Sequence, residues 1–164
     1  MFKRILVPLD GSRASAKALP YAIEIAQRFG AELILLQAVS VTPSPMLTVP
    51  AGVGISSVAT QMAQEAALAE EKRGIARARR YLSDKLRLVT SRGVTGSFHV
   101  VTGTPANSIL EFCKKEKVAL VVMTTSGKSG IKRALLGSVA DQLIRDSTVP
   151  ELVIRPEMKR KSKK

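Results

Sequence analysis

The stretch LVVMTTSGKSGIKRALLGSVA, residues 120–140, decides the fold. It begins with four apolar residues in succession, Leu120 to Met123, a pattern typical of a strand that is covered on both faces in a parallel sheet. Toward its end Leu136 and Val139 begin a helical spacing of apolar residues, which places Gly137-Ser138 at the first turn of a helix. The stretch therefore predicts a strand, a loop and a helix start.

The predicted helix start is suited to an anion. A helix N-terminus exposes unpaired backbone N–H groups and carries about half a positive charge. Gly137 would let the backbone approach a ligand closely, and Ser138 adds a hydroxyl donor. An ordinary strand-to-helix connection with turn glycines would look the same, so this stretch alone leaves both interpretations open.

Outward from this stretch, strands and helices alternate along the whole chain. Apolar runs predict strands near residues 5–7, 32–39, 97–101, 120–123 and 152–154, and helical periodicity predicts the segments between them, including a long helix over about 59–88. Ser12 is the predicted N-cap of the first helix, and Pro20 predicts a kink or a late start in it. Residues 42–58 carry no periodicity and predict a long loop, either a functional lid or a connector without a role.

This alternation predicts an α/β fold with a single open five-stranded parallel sheet and helices on both faces. Ligands of such sheets bind beyond the carboxyl ends of the strands, where the strand order reverses. Two loops are candidates for that place. They are Pro8-Leu9-Asp10-Gly11-Ser12 after the first strand and the loop after the fourth strand.

Length and composition predict one domain, residues 1–156, followed by a basic tail, residues 157–164. Cys113 is the one cysteine in the sequence, which excludes an internal disulfide, and its place on an apolar helix face predicts a core residue. No apolar run is long enough to insert in a membrane and the first residues lead straight into a strand, so we expect a cytoplasmic protein. The net charge is +13, but aromatic residues are 4% of the chain and offer no base-stacking platform, so we expect no nucleic-acid partner.

The chain resembles the universal stress protein family over nearly its whole length. The run from Ile5 to Ser12 is similar to the opening of that family, and Gly103-Thr104-Pro105 to the start of a later helix in it. Its nucleotide-binding members carry Gly, two residues, Gly, nine residues, and then Gly followed by Ser or Thr. Gly127, nine intervening residues, and Gly137-Ser138 match that signature, whereas Thr124 stands at the position of the first glycine.

The resemblance implies a site for ATP, with magnesium. Asp10 and the backbone at Ala38 would recognise adenine, and Pro8 would approach the ribose together with the loop near Thr124. The residues implied for the phosphates are Gly127, Gly137, Ser138, Val139 and Ala140. The neighbouring residues Leu9, Met123 and Lys128 complete the predicted site.

Thr124 is the main departure from the family pattern. If the glycine at this position requires a positive φ, a threonine is strained by about 1 to 2 kcal/mol. If the position only requires a small residue, Thr124 narrows the ribose site. The sequence alone leaves these two alternatives open.

The resemblance implies an ATP-binding stress-response module, a homodimer joined through its last strand, Leu152 to Ile154, with a protein partner that the sequence does not identify. The sequence contains no paired nucleophile and base, so we predict no catalytic residue and no metal site formed by the protein alone. Two alternatives remain open. One is a protein-interaction module of the same fold that binds no nucleotide, and the other is an enzyme that slowly hydrolyses ATP or transfers a nucleotidyl group.

Overall fold

The computed structural model of the protein describes residues 1–40, 57–125 and 137–155. The strands are β1 (Arg4–Pro8), β2 (Glu32–Val39), β3 (Gly96–Thr102), β4 (Leu120–Thr124) and β5 (Glu151–Ile154); the helices are α1 (Leu19–Phe29), α2 (Ser57–Ser91), α3 (Pro105–Lys115) and α4 (Ser138–Asp146). All strands are parallel and form one sheet in the spatial order β3-β2-β1-β4-β5. The predicted α/β fold with a five-stranded parallel sheet is confirmed.

The strand order reverses between β1 and β4. The chain builds outward from β1 through β2 to β3, and β4 then returns to the free side of β1, where Leu6 is paired with Val121. Such a reversal leaves a crevice beyond the carboxyl ends of the two central strands, since their connections leave on opposite faces of the sheet. The ends of β1 and β4 are therefore the expected place for a ligand.

Apolar side chains cover both faces of the sheet. Successive strand residues point to opposite faces, so Val7 lies in a core cluster with α1 and α2, whereas Leu6 lies in a second cluster with α3 and α4. Both side chains are fully buried, and burial of an aliphatic side chain of this size contributes about 1.5 to 3 kcal/mol. This burial on both faces explains why the strands are continuous apolar runs in the sequence.

Helix α1 begins late, as Pro20 predicted. A 3-10 turn over Ser15–Ala18 precedes it, and Pro20 occupies its first turn, where the missing N–H breaks no helical hydrogen bond. The Ser12 hydroxyl oxygen accepts the Ser15 N–H at 3.0 Å. The prediction that Ser12 caps the first helix was wrong, because the 3-10 turn lies between them and the N-cap of α1 is Ala18. The Ser12 hydroxyl instead bonds the first residue of that turn.

Helix α2 packs closely on the end of β2. A Cβ added to Gly74 would lie 3.2 Å from the Val39 Cγ1 atom, so a larger residue there would force the Val39 side chain to shift. Most of the predicted loop over residues 42–58 lies outside the described residues. Within residues 1–40, 57–125 and 137–155, no helix is both long and apolar enough to cross a membrane.

Candidate functional site

A cavity of about 290 Å³ lies beyond the carboxyl ends of β1 and β4. Its described wall is formed by Pro8, Leu9, Asp10, Ser15, Leu36, Ala38, Pro105, Ile109, Met123, Thr124, Thr125, Gly137, Ser138, Val139, Ala140 and Leu143. Most of these side chains are apolar and a few are polar, which is typical of small-molecule sites. The cavity thus coincides with the reversal in strand order.

Ten of the twelve residues in the predicted site line this cavity. They are Pro8, Leu9, Asp10, Ala38, Met123, Thr124, Gly137, Ser138, Val139 and Ala140. Gly127 and Lys128 lie outside the described residues. The structure brings together residues that are separated by up to about 130 positions in the sequence because β1, β2 and β4 all end at one edge of the sheet.

The turn after β1 holds Asp10 by a compact set of hydrogen bonds. The Asp10 carboxylate accepts the Ser12 N–H at 2.9 Å, and the Asp10 N–H donates to the Ser15 hydroxyl at 3.3 Å. Gly11 between them has a φ of +83°, a conformation that side chains disfavour. These bonds fix both the backbone and the carboxylate of Asp10 at the cavity wall.

Thr124 fits the strand in which it lies. It is the last residue of β4, is paired with Ile154 and is 8% exposed. Among the described residues other than glycine, Lys117 alone has a positive φ, so Thr124 carries no left-handed strain. The alternative that requires a strained threonine is excluded, and the remaining effect of Thr124 is the volume that it occupies at the cavity wall.

Helix α4 begins at Ser138, as predicted, with Gly137 as its N-cap. Among the described residues, no side chain caps the first N–H groups of this helix, and those groups have no partner within the helix itself. Gly137 has a φ of −62° and a ψ of 148°, which any residue adopts. Glycine at position 137 therefore matters because it places no side chain beside the cavity.

Six residues of the cavity wall were missing from the predicted site: Ser15, Leu36, Pro105, Ile109, Thr125 and Leu143. Pro105 and Ile109 are on α3, where the sequence indicated only a helix start and a core position, yet both also line the cavity. Ser15 is 6% exposed and lines it as well. A parallel strand directly before Gly103-Thr104-Pro105 was the available signal, because its carboxyl end faces the same edge.

The structure gives Cys113 a place in the core. Cys113 lies on the buried face of α3, where burial, with a smaller effect of the Glu151 charge, raises its pKa to about 11. The thiol is therefore protonated and a poor nucleophile at neutral pH. Within the part of the chain that the structure describes, no three His, Cys, Asp or Glu residues are grouped to hold a metal ion.

The fold and the cavity define a class of protein, an open parallel α/β sheet with an apolar cleft that ends at a helix N-terminus. The sequence matches the universal stress protein family over residues 1–155, and the chain belongs to that family. It is 35% identical to the universal stress protein MJ0531 of Methanocaldococcus jannaschii, over 97% of this chain and 85% of that protein. It is 33% identical to the universal stress protein YxiE of Bacillus subtilis, over 94% of this chain and 100% of that protein.

Solved structures share the fold. The protein MJ0577 of Methanocaldococcus jannaschii superposes with a TM-score of 0.79 at 23% identity, covering 97% of this chain and 99% of that chain. A universal stress protein of Archaeoglobus fulgidus, in complex with dAMP, has a TM-score of 0.62 at 19% identity over 94% of this chain and 99% of that chain. The Arabidopsis thaliana family member At3g01520, with AMP bound, has a TM-score of 0.64 at 14% identity, covering 94% of this chain and 92% of that chain.

Proposed function

We propose that this protein binds ATP, with magnesium, in the cavity at the ends of β1 and β4, and acts as a dimeric stress-response or signalling module. The observation that carries the proposal is the meeting of an apolar cleft with the uncapped N-terminus of α4. Nucleotides match this arrangement, because a flat apolar base is joined through ribose to anionic phosphates. Related proteins of the same fold hold AMP and dAMP.

The apolar wall residues of the cavity suit a purine base. Leu36, Ala38 and Met123 contribute apolar surface there, and Asp10 supplies a polar group at the rim. Burial of a planar base against such surface is favourable by the hydrophobic effect, and one or two polar groups are enough to orient it.

The start of α4 at the cavity wall suits the phosphates. The N–H groups at the start of α4 and the Ser138 hydroxyl are donors, and the helix dipole adds a partial positive charge. The first-turn carboxylate of Asp141 is ion-paired with Arg145 at 2.9 Å, which reduces its repulsion of an anion.

Magnesium would enter with the nucleotide. Mg²⁺ is usually held by one or two carboxylates together with substrate phosphates and water, and Asp10 is the carboxylate that lines the described part of the cavity. A bound ion would supply charge neutralisation at the phosphates. The residues present therefore fit a nucleotide-borne ion better than a resident metal.

The alternative module that binds no nucleotide is favoured by one observation, the volume of Thr124 at the wall. Isothermal titration calorimetry with ATP and magnesium, together with mass spectrometry of nucleotide retained after purification, distinguishes the ATP-binding module from the module that binds no nucleotide. We expect saturable binding at one site per chain. Absence of binding and of retained nucleotide, in protein shown to be folded by circular dichroism, would contradict the ATP proposal and favour the interaction module.

A further inference from the structure

The carboxylate of Glu151, at the start of β5, is buried without an opposite charge. Both of its oxygens are shielded from solvent, and among the described residues no lysine, arginine or histidine forms an ion pair with it. The Ser147 side chain is a polar neighbour but carries no charge. Because a carboxylate withdrawn from water is costly unless a cation accompanies it, a cation from outside the protomer would satisfy this group best.

The outer edge of β5 carries backbone groups that are placed to pair with another strand. Within the described residues β5 pairs with β4 alone, and the carbonyls of Pro150 and Ile154 accept hydrogen bonds from the β4 side of the sheet at 2.9 and 3.0 Å. Since successive strand residues direct their backbone groups to alternate sides, Glu151, Val153 and Arg155 direct theirs outward. An antiparallel strand on this edge would therefore bond to these residues.

The run from Glu151 to Arg155, ELVIR, is complementary to itself in one antiparallel register. With Val153 on a twofold axis, every residue of the run is paired, and Glu151 of one copy lies opposite Arg155 of the other. Side chains directly opposite in such a pair share one face of the sheet, with Cβ atoms about 4.5 to 5.5 Å apart. An axis at Glu151 would set two carboxylates against each other. An axis one residue to either side of Val153 would leave a charged side chain opposite Val153.

We propose that two copies of the chain pair antiparallel through β5 with Val153 on the twofold axis, so that Glu151 of each copy forms an ion pair with Arg155 of the other. This inference rests on the dimer of the proposed function, and it adds the register and the cation that covers the buried carboxylate. Arg155 is exposed and forms no ion pair among the described residues of its own chain. Its planar guanidinium matches a carboxylate, and the twofold symmetry forms the pair twice in each dimer.

Sedimentation equilibrium of Arg155→Gln and Glu151→Gln, singly and together, tests the ion pair as a double-mutant cycle. We expect Arg155→Gln to weaken the dimer at least about tenfold, because it leaves two buried carboxylates without their cations. In the Glu151→Gln background the same change should cause little further loss. Arg79→Gln, at an exposed position of α2, removes an equal charge away from β5 and should leave the dimer unchanged.

Glu151→Gln supplies a test of sign. It should weaken the dimer, since Arg155 loses its opposite charge, yet raise the unfolding free energy of the separate protomer, since an amide is buried at lower cost. Urea unfolding below the dissociation constant of the dimer measures the second effect. A residue that only supports the fold would change both quantities in the same direction, and that result would overturn the ion pair.

Cross-linking of a mixture of Leu152→Cys and Ile154→Cys chains tests the register. In the proposed register these two positions are directly opposite in a pair without backbone hydrogen bonds, where Cα atoms are about 4.5 Å apart and a disulfide can form. We expect oxidation to join the two variants, and Leu152→Cys alone to remain unlinked. A Leu152→Cys chain that cross-links to itself would overturn this register.

The ion pair, the dimer and the nucleotide site can fail separately. Unchanged dimerisation of Arg155→Gln, or an equal loss in both backgrounds, would overturn the ion pair and leave the dimer in place. A monomeric wild type would overturn the dimer and this inference together, whereas calorimetry with ATP and magnesium on the same protein reports on the nucleotide site alone.

Discussion

The amide of Gly137 donates a hydrogen bond of 2.6 Å to the carbonyl oxygen of Thr125. This bond ties the start of α4 to the end of β4, although residues 126–136 separate them in the sequence. It also uses the N–H of Gly137, so the donors that remain at the helix start are those of Ser138, Val139 and Ala140. In the proposed site, Gly137 provides room for a phosphate and the next three residues provide the hydrogen bonds.

The first prediction is that Gly137→Val weakens ATP binding at least about tenfold, or about 1.4 kcal/mol. The backbone angles of Gly137 suit valine, so the fold should survive, while the new side chain would obstruct the approach of a phosphate. Calorimetry measures the affinity, and Ala76→Val at an exposed position of α2 is the control. Normal binding by folded Gly137→Val would show that nothing approaches this backbone closely.

The second prediction is that Ser138→Ala costs about 1 to 3 kcal/mol of ATP binding, the value of a hydrogen bond to a charged group. Ser138 is exposed at the cavity, so removal of its hydroxyl should leave the unfolding free energy nearly unchanged. Ser91→Ala, at the far end of α2, is the matched control. We expect Ser138→Ala to lower the affinity for ATP and to leave the affinity for adenosine unchanged. An equal loss of affinity for both ligands would place the hydroxyl near the ribose or base.

The fold could be predicted because its signal is local. A parallel strand covered on both faces must be apolar throughout, so the runs at Leu33 and Val121 stand out in the sequence. One further rule, that strand ends at a reversal of strand order form the site, pointed to the loops after β1 and β4. The ten predicted residues that line the cavity were named by the family resemblance. The roles of those residues remain predictions.

What the sequence did not indicate depends on distances between elements. Ser15 and Tyr81 are 66 positions apart, and their closeness results from how α2 packs over the turn after β1. Glu151 begins the edge strand β5, and a glutamate side chain is usually exposed to solvent. Its two carboxylate oxygens are instead shielded from solvent, because β5 places that side chain against the layer that contains Cys113.

The third prediction concerns this buried carboxyl. Burial raises the pKa of Glu151, and the nearby Ser147 side chain opposes the shift only in part, because its hydroxyl donates to the Val149 carbonyl. The folded state therefore binds a proton more strongly than the unfolded state does. The stabilisation is fully present below about pH 4.5 and is lost as the pH rises through the folded-state pKa.

Glu151→Gln should remove this part of the pH dependence and raise the unfolding free energy at pH 7 relative to wild type, since an amide is buried at lower cost than a carboxylate. Urea unfolding between pH 4 and 8 measures both effects. The exposed residue Glu111, changed to Gln, is the control. A lower stability of Glu151→Gln at neutral pH would show that the carboxylate has a favourable partner.

The fourth prediction is a homodimer through β5. This strand is at one end of the sheet, and within the described residues it pairs with β4 alone, so its outer edge can accept a strand from a second copy. Leu152 on this strand is 37% exposed. Light scattering at tens of micromolar should show a dimer for the wild type and for Leu68→Lys on α2, and mostly monomer for Leu152→Lys. A monomeric wild type would contradict the dimer.

The last prediction uses Thr124, the residue at which this chain departs from the family signature. Because Thr124 is unstrained, its effect on ATP binding should come from volume alone. Thr124→Gly and Thr124→Ala should then tighten binding in proportion to the atoms removed, while Thr124→Gly lowers the unfolding free energy by about 1 kcal/mol, since glycine is unfavourable within a strand.

Calorimetry on the two variants and the wild type, with urea unfolding of each, separates binding from stability. Thr124→Ser keeps the hydroxyl and removes the methyl group, so it tests whether the bulk of the methyl is the obstacle. Equal affinities in all four proteins would show that the cavity already accommodates threonine. If neither the wild type nor Thr124→Gly binds ATP, the nucleotide proposal fails, and a protein-interaction module of the same fold becomes the better account of this chain.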